Sequence, residues 1–280
     1  GAEYLLAFDP SWAESESSDD FAIQVLKLNK ERQFGTVVHS YALSGANMKE
    51  HIRYFHYLLT HFNVVMVVGD YAGGVQFLSA CNESETFKKD KINLGIIEVP
   101  FEHAENYTQD LQNARNSYNL KEKKICYLRK PTSNWIRQAN ELLQSNFDHK
   151  RIFFGSRAID DSYQNQKRKN IPIDTLKYLR SGDGEKMGRE AKMIDFIEHQ
   201  TDIIDLTKVE CALIQITTTA QGTQTFDLPP NLKRQSGRDK ARKDSYSALV
   251  LGNWMVKTYF DIMNFKPKEV VSTFTPMFIN

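Results

Sequence analysis

Cysteine and net charge are both scarce in this sequence. Its 280 residues include only three cysteines, Cys81, Cys126 and Cys211, which lie far apart along the chain. This spacing fits neither a zinc knuckle nor a disulfide framework, and it favours a reducing compartment in which the three thiols are small buried hydrophobes. The formal net charge is only +1. Any nucleic-acid interface must therefore be a local basic surface.

Long apolar runs and common cofactor motifs are also missing. No apolar stretch is long enough to span a bilayer and no signal peptide is recognisable, so we expect no membrane partner. No Gly-x-x-x-x-Gly-Lys-Ser/Thr phosphate loop occurs, which excludes a P-loop ATPase within this sequence. The seven histidines show no metal-ligand spacing: His51, His56 and His61 lie on or beside one predicted helix but are not three or four residues apart.

The N-terminal part contains an apolar run that ends at an acid. Residues 4–8 are all apolar, which is typical of a strand buried on both faces, and the run stops at Asp9 and Pro10. Pro10 has no N–H with which to continue a strand ladder. Because α/β folds tend to place their sites at the ends of central strands, Asp9 is a candidate functional residue. A turn cap formed with Pro10 and Ser11 is the alternative.

The first hundred residues predict a mixed α/β sheet. We expect three strands with short links, then a helix, a strand, a short helix and a strand. The predicted bounds, in order, are 4–9, 21–28, 34–43, 48–62, 64–69, 75–87 and 94–99. The fourth strand should run parallel to the first through a right-handed crossover. The result is a five-stranded sheet of order 3-2-1-4-5 flanked by helices, which by analogy is a ribonuclease H-like fold.

The second half of the chain has weaker periodicity. We interpret 101–185 as an insertion or loop region that contains a helix capped by Ser133 and a short strand at 151–154. Other predicted elements are a helix at 186–199, a hairpin of strands 209–218 and 223–228 that turns at 220–222, and an apolar helix at 245–263. The tail from 266 to 280 should pack on the rest. The prediction is one domain over 1–280, with its core in 3–100 and 186–263.

Further aspartates accompany the predicted core elements. Asp70 ends the fourth strand, and parallel neighbours end at the same edge of a sheet, so Asp70 could lie close to Asp9. Asp244 begins the last helix, where its alternative role is a favourable charge near a helix N-terminus, worth roughly 0.3–1 kcal/mol. Asp19 and Asp20 precede the second strand. They could place a carboxylate near Asp9, or they could simply start that strand at the surface.

Three converging carboxylates would require protons or cations. Two unit charges about 4 Å apart repel by roughly 4 kcal/mol at an effective dielectric near 20. Ligand sets made only of oxygen favour Mg²⁺ or Mn²⁺, and two such ions about 3.5–4 Å apart can activate a water and stabilise the leaving oxygen of a phosphodiester. We therefore predict Asp9, Asp70 and Asp244 as catalytic metal ligands, with Asp20 as a possible further ligand.

A basic stretch comes immediately before Asp244. Its members are Lys233, Arg234, Arg238, Lys240, Arg242 and Lys243. We predict that it binds the phosphate backbone of DNA beside the carboxylates. A solvated loop is the alternative, and the position next to a candidate ligand favours the functional interpretation.

Six short segments, taken in order, carry a resemblance to a known family. They are residues 5–11, 19–23, 135–137, 151–154, 226–232 and 241–249. Together they resemble the C-terminal nuclease domain of the large terminase subunit of tailed phages. Through that resemblance the family's acidic triad falls on Asp9, Asp70 and Asp244. Many members have paired acids at the third position, whereas Lys243 precedes Asp244 here.

The resemblance implies a function and a set of partners. It implies a ribonuclease H-like, metal-dependent endonuclease that cuts concatemeric viral double-stranded DNA during genome packaging. It also implies an ATPase motor domain in a longer polypeptide, and a portal and a small terminase subunit as partners. The expected location is the procapsid portal in the host cell cytoplasm.

Three functions remain open at this point. Two-metal hydrolysis of DNA, with little sequence preference, is the first. Another ribonuclease H-like enzyme, of the resolvase or transposase kind, would instead cut specific sequences or junctions or transfer strands. A non-catalytic module that docks DNA or a portal through the basic stretch would bind DNA in a salt-dependent way, without cleavage in any divalent ion.

Overall fold

Seven strands build the main sheet in the part of the chain that the structure describes. The computed structural model describes residues 1–11, 18–44, 47–98, 124–155, 203–219, 222, 224–235 and 240–264. The strands of the main sheet are β1 Tyr4–Asp9, β2 Phe21–Asn29, β3 Phe34–Leu43, β4 Val64–Asp70, β5 Leu94–Glu98, β6 Lys124–Arg129 and β7 Ile152–Phe154. A separate hairpin consists of β8 Gln215–Thr218 and β9 Gln224–Asp227.

Helices cover both faces of the sheet. They are α1 Met48–His61, α2 Tyr71–Glu83, α3 Glu85–Lys89, α4 Ser133–Asp148, α5 over 203–213, α6 Pro230–Lys233 and α7 Asp244–Asn264. Helices α1, α2 and α3 bury apolar side chains on one face of β1, and α4 and α7 do so on the other. None of the described helices combines the length and apolarity that crossing a bilayer requires.

The strand order confirms the predicted mixed α/β class. The sheet reads β5-β6-β4-β1-β2-β3-β7. Strands β1, β2 and β3 pair antiparallel, whereas β4 runs parallel to β1, and β6 and β5 continue in parallel. The first four strands thus have the ribonuclease H-like order 3-2-1-4 that the sequence predicts.

Two details of the sheet differ from the prediction. Strand β6 lies between β4 and β5, so the order on that side is 1-4-6-5 rather than 1-4-5, and β7 adds a further strand beside β3. The sequence prediction missed β6 because its apolar run is short and follows a long polar segment. Its residues Ile125 to Leu128 are buried on both faces. Residues 124–154 therefore belong to the core, whereas the prediction assigned them to an insertion.

Two local predictions also require correction. Residues 209–213 belong to α5, and only 215–218 form a strand. The reason is helical spacing, since Ile203, Leu206 and Glu210 are all buried on α5. The N-cap of α4 is Thr132 rather than Ser133, because the Thr132 side chain accepts a hydrogen bond from the Trp135 amide.

Several predicted elements lie outside the described residues. They are the loop within 157–184, the helix at 186–199, the tail at 266–280 and the turn residues 220 and 221. The single-domain organisation over 1–280 stays a prediction.

Close packing brings α7 onto the centre of the sheet. A Cβ at Gly252 would lie 2.7 Å from Leu26 Cδ1 and 3.0 Å from Ala7 Cβ. The missing side chain therefore lets α7 approach β1 and β2 closely. Asp244 begins this helix about 12 Å from Gly252, at 1.5 Å per residue. This packing directs the helix N-terminus towards the edge where β1 ends.

The contact between Gly69 and Phe8 yields a stability prediction. A Cβ at Gly69 would lie 2.3 Å from Phe8 Cζ, and the Phe8 ring is held by Phe21, Phe55 and Phe77. Gly69→Ala should therefore lower the free energy of unfolding by about 1–3 kcal/mol, the usual cost of overpacking. Urea unfolding would measure it.

The control for this substitution is Gly1→Ala, because no atom lies within 4 Å of a Cβ at Gly1. A Gly69→Ala protein as stable as the control would contradict the packing of β1 against β4.

Candidate metal centre at the carboxyl edge of the sheet

Parallel pairing brings Asp9 and Asp70 to the same edge of the sheet. Phe8 in β1 lies opposite Gly69 in β4, and each aspartate is the next residue along its strand. Ala7, two residues before Asp9, and Val68, two residues before Asp70, both belong to the core layer under α7. Because side chains alternate along a strand, Asp9 and Asp70 point to that same side of the sheet.

Asp244 reaches this edge as the first residue of α7, on the side of the sheet to which Asp9 and Asp70 point. Its Oδ2 accepts a hydrogen bond of 2.7 Å from the backbone N–H of Asp20. Asp20 directly precedes β2, and β2 pairs with β1 so that Ala22 lies opposite Asp9. Asp9, Asp70 and Asp244 are each partly exposed as whole residues.

The electrostatics of Asp9 link the three carboxyl groups. Burial raises the pKa of Asp9 well above its ordinary value, and the negative charges of Asp244, Asp70 and Asp19 raise it further. Lys243 acts in the opposite direction. Asp9 therefore senses both other aspartates, and the structure brings the three predicted acids together at one edge.

The other two aspartates are also harder to ionise than usual. Burial and then the charge of Asp20 raise the pKa of Asp244 to about 7, although the Asp20 N–H and Arg242 oppose this rise. Burial raises the pKa of Asp70, and the Ala72 N–H opposes it. The site thus disfavours three negative charges in the absence of a cation.

The main chain after Asp70 gives its carboxylate a local partner. Asp70 is the N-cap of α2, and its Oδ1 accepts a 2.8 Å hydrogen bond from the Ala72 amide. Gly73 adopts φ 80°, the left-handed conformation that glycine tolerates, which lets the chain turn at once from β4 into α2.

The carboxylates suit a divalent cation in charge and donor type. All three offer oxygen donors, the ligand class that Mg²⁺ and Mn²⁺ prefer. Their positions are not those of an assembled site, since no group of three or more His, Cys, Asp or Glu side chains in the described ranges stands ready to hold an ion. Asp70 and Asp244 are instead engaged by the amides of Ala72 and Asp20. Side-chain rotation would have to accompany metal binding.

Asp19 and Asp20 have different surroundings. Asp20 is buried, and its Oδ1 lies 3.3 Å from Arg242 Nη1. Asp19 is exposed, and its Oδ1 lies 2.9 Å from Lys240 Nζ. The ion pair with Arg242 already balances the charge of Asp20. The role of Asp20 as a further metal ligand stays a prediction.

The predicted basic stretch divides into exposed and buried members. Lys233, Arg234, Lys240 and Lys243 are exposed or partly exposed, whereas Arg238 lies outside the described residues. Arg242 differs from the prediction: it is 3% exposed, and its guanidinium is directed at Asp20 and the Ser18 carbonyl. Because its charge faces inward, Arg242 is not part of the exposed basic surface.

Asp227 is a site residue that the sequence prediction did not name. Its carboxylate oxygens lie 2.5 Å from Lys233 Nζ and 3.0 Å from Lys243 Nζ. Burial alone would raise the pKa of Asp227, but the hydrogen bonds from both lysines outweigh it and lower the pKa. Asp227 thus pairs with two lysine ammonium groups beside the acidic edge. Its only sequence signal is its place in the segment 226–232.

The pKa of Asp244 predicts how stability depends on pH. A folded-state pKa of about 7 against an ordinary 3.8 means that Asp244 favours folding when protonated. This contribution is fully present below about pH 4 and is lost as pH rises through about 7. Without metal, the melting temperature should therefore fall from about pH 5 to about pH 8.

Asp244→Asn should make this fall smaller, because Asn keeps an oxygen for the Asp20 N–H but carries no charge. Thermal unfolding of both proteins in a chelating buffer would measure it. Identical pH dependence of the two proteins would contradict the burial and crowding of Asp244.

Comparisons with known proteins find likenesses of fold only. No protein-family model and no curated protein matches this chain. The crystal structure of the large terminase nuclease from thermophilic phage G20c with bound magnesium is 12% identical, with a TM-score of 0.42 over 90% of this chain and 81% of that one. The crystal structure of the g2p (large terminase) nuclease domain from bacteriophage SPP1 with bound Mn shares 10% sequence identity, with a TM-score of 0.39 over 89% of this chain and 84% of that one.

Proposed function

We propose that this chain is an endonuclease that hydrolyses phosphodiester bonds of double-stranded DNA with the help of Mg²⁺ or Mn²⁺. The observation that carries the proposal is the setting of Asp9, whose pKa is raised first by burial and then by the negative charges of Asp244 and Asp70. Carboxylates from three distant segments thus meet around Asp9 at this edge. A bound divalent cation removes that repulsion and is the natural ligand of such a cluster.

Asp9 is the central member of the proposed ligand set. The charges of both other aspartates act on it, so Asp9, Asp70 and Asp244 would together hold the metal. When bound, a pair of ions supplies an activated water and stabilises the leaving oxygen of the phosphodiester. The protein's own contribution is to hold the three carboxylates on two strands and one helix, which are rigid supports.

The basic side chains beside the acids support DNA as the substrate. Lys243 is close enough to oppose the raised pKa of Asp9. With Lys233, Arg234, Lys240 and Arg238 it would bind the phosphate backbone, which carries no sequence information. Little sequence preference is therefore expected of the cleavage.

The role in packaging of viral DNA rests on the resemblance of the six segments to terminase nuclease domains. It includes cleavage of concatemers at the procapsid portal in the host cell cytoplasm. It also includes an ATPase motor domain, a portal and a small terminase subunit as partners.

A non-catalytic DNA-binding module is the second candidate. It is favoured by one observation, that no three acidic or histidine ligands are assembled around one point in the described residues. Such a module would bind DNA in a salt-dependent way and would cut it in no divalent ion.

Asp9→Asn tests the proposal with a near-isosteric change. It should lower the rate of plasmid nicking in Mn²⁺ by more than about a hundredfold, since even partners of metal ligands cost 10–100-fold when replaced. Circular dichroism would show whether the variant keeps its fold. The matched control is Asp261→Asn, on α7 but far from the acidic edge, which loses a partly exposed pair with Lys257.

The possible results separate the candidates. Full activity of Asp9→Asn would refute its role. Salt-dependent DNA binding by the unaltered chain, without nicking in Mg²⁺ or Mn²⁺, would favour the non-catalytic module. Cleavage confined to junctions or to one sequence, or strand transfer, would favour a resolvase or transposase type of enzyme.

A further inference from the structure

Two segments far apart in the sequence are joined directly behind the acidic edge. Residues 18–20 precede β2, and residues 240–244 lead into α7. Lys240 Nζ lies 2.9 Å from Asp19 Oδ1, and Arg242 Nε donates a 3.0 Å hydrogen bond to the Ser18 carbonyl. We call these two segments with their contacts the β2–α7 clasp.

The centre of the clasp is an ion pair without access to solvent. The side chains of Arg242 and Asp20 are 1% and 0% exposed, and Arg242 Nη1 lies 3.3 Å from Asp20 Oδ1. Charges buried in this way lose their favourable free energy of hydration, and their mutual attraction often only offsets that loss. Global stability is therefore a weak explanation for the pair, and a role in fixing one local arrangement explains it better.

The arrangement that the pair fixes includes the Asp244 carboxylate. The backbone N–H of Asp20 donates the 2.7 Å hydrogen bond to Asp244 Oδ2. Arg242 stands two residues before Asp244, so the clasp holds Asp244 both through its own chain and through its hydrogen-bond donor. The clasp thus fixes the backbone position from which the Asp244 carboxylate reaches this edge.

We propose that Asp20 and Arg242 are positioning residues, which hold the start of α7 at this edge so that the Asp244 carboxylate, once it turns from the Asp20 amide, can bind the same divalent cation as Asp9. This inference rests on the proposed function. It assigns Asp20 and Arg242 to the support of the metal centre, behind the ligands and the DNA-binding surface.

The test replaces both members of the pair without leaving a lone buried charge. The double variant Asp20→Asn with Arg242→Gln keeps the backbone N–H of residue 20 and the net charge, and it removes the ion pair. Its affinity for Mn²⁺, measured by isothermal titration calorimetry without DNA, should fall about 10–100-fold, the usual effect of replacing partners of metal ligands.

Two controls separate positioning from stability. Ile262→Val removes one buried methylene from α7 about 27 Å along the helix from Asp244, so it weakens the core while the clasp stays intact. Lys257→Gln removes an exposed ion pair on the same helix. Both should bind Mn²⁺ as the unaltered protein does. A purely structural role of the clasp predicts that affinity follows the melting temperature in all variants.

Each result is decisive. Weakened Mn²⁺ binding in the folded double variant, with both controls unchanged, supports the proposal, whereas unchanged binding overturns it. If the unaltered protein binds no Mn²⁺, the proposed function fails together with the inference; if it binds Mn²⁺ and the variant binds equally, only the inference fails.

Should the double variant not fold, Arg242→Lys replaces it. This variant keeps the charge but loses the Nε–H bond to Ser18, and its affinity for Mn²⁺ should be several-fold lower than that of the unaltered protein. Unchanged affinity in Arg242→Lys overturns the inference.

Discussion

The burial of Asp9 beside the negative charges of Asp244 and Asp70 is the interaction on which the proposed site depends. Burial and the other two charges raise the pKa of Asp9, and burial raises the pKa values of Asp70 and Asp244. A fold that only needed stability would place acids apart and in water. The proposed divalent cation accounts for the cluster, since Mg²⁺ and Mn²⁺ prefer oxygen donors.

The fold gathers the acids by three ordinary devices. Parallel pairing of β1 with β4 sets two strand ends side by side. The absence of a side chain at Gly252 lets α7 lie close on β1 and β2, and the β2–α7 clasp ties the start of that helix to the start of β2. Each device acts on the backbone or on buried groups. The carboxylates themselves stay free to rotate towards a ligand, at the cost of the hydrogen bonds that now hold Asp70 and Asp244.

The sequence predicts the parts of this arrangement that depend on local patterns. The apolar runs before Asp9 and Asp70 and the apolar helix after Asp244 are visible in the chain, and right-handed crossovers then set the order of the first four strands. Strand β6 was missed because a short run buried on both faces has no period to detect. The inward direction of Arg242 was missed for another reason: its partner Asp20 lies 222 residues away in the sequence, and a basic run gives no sign of which member is buried. The same limit applies to Asp227, whose two lysine partners become apparent only from the fold.

A crystal structure of the protein soaked in Mn²⁺, with anomalous scattering used to locate the metal, is the most direct measurement. It should show anomalous peaks between Asp9, Asp70 and Asp244, with Asp9 bound to every ion present and the Asp20–Arg242 pair intact behind them. An acidic edge without any Mn²⁺ peak, and with Asp70 and Asp244 still bound only to the amides of Ala72 and Asp20, would contradict a metal centre formed by these three aspartates.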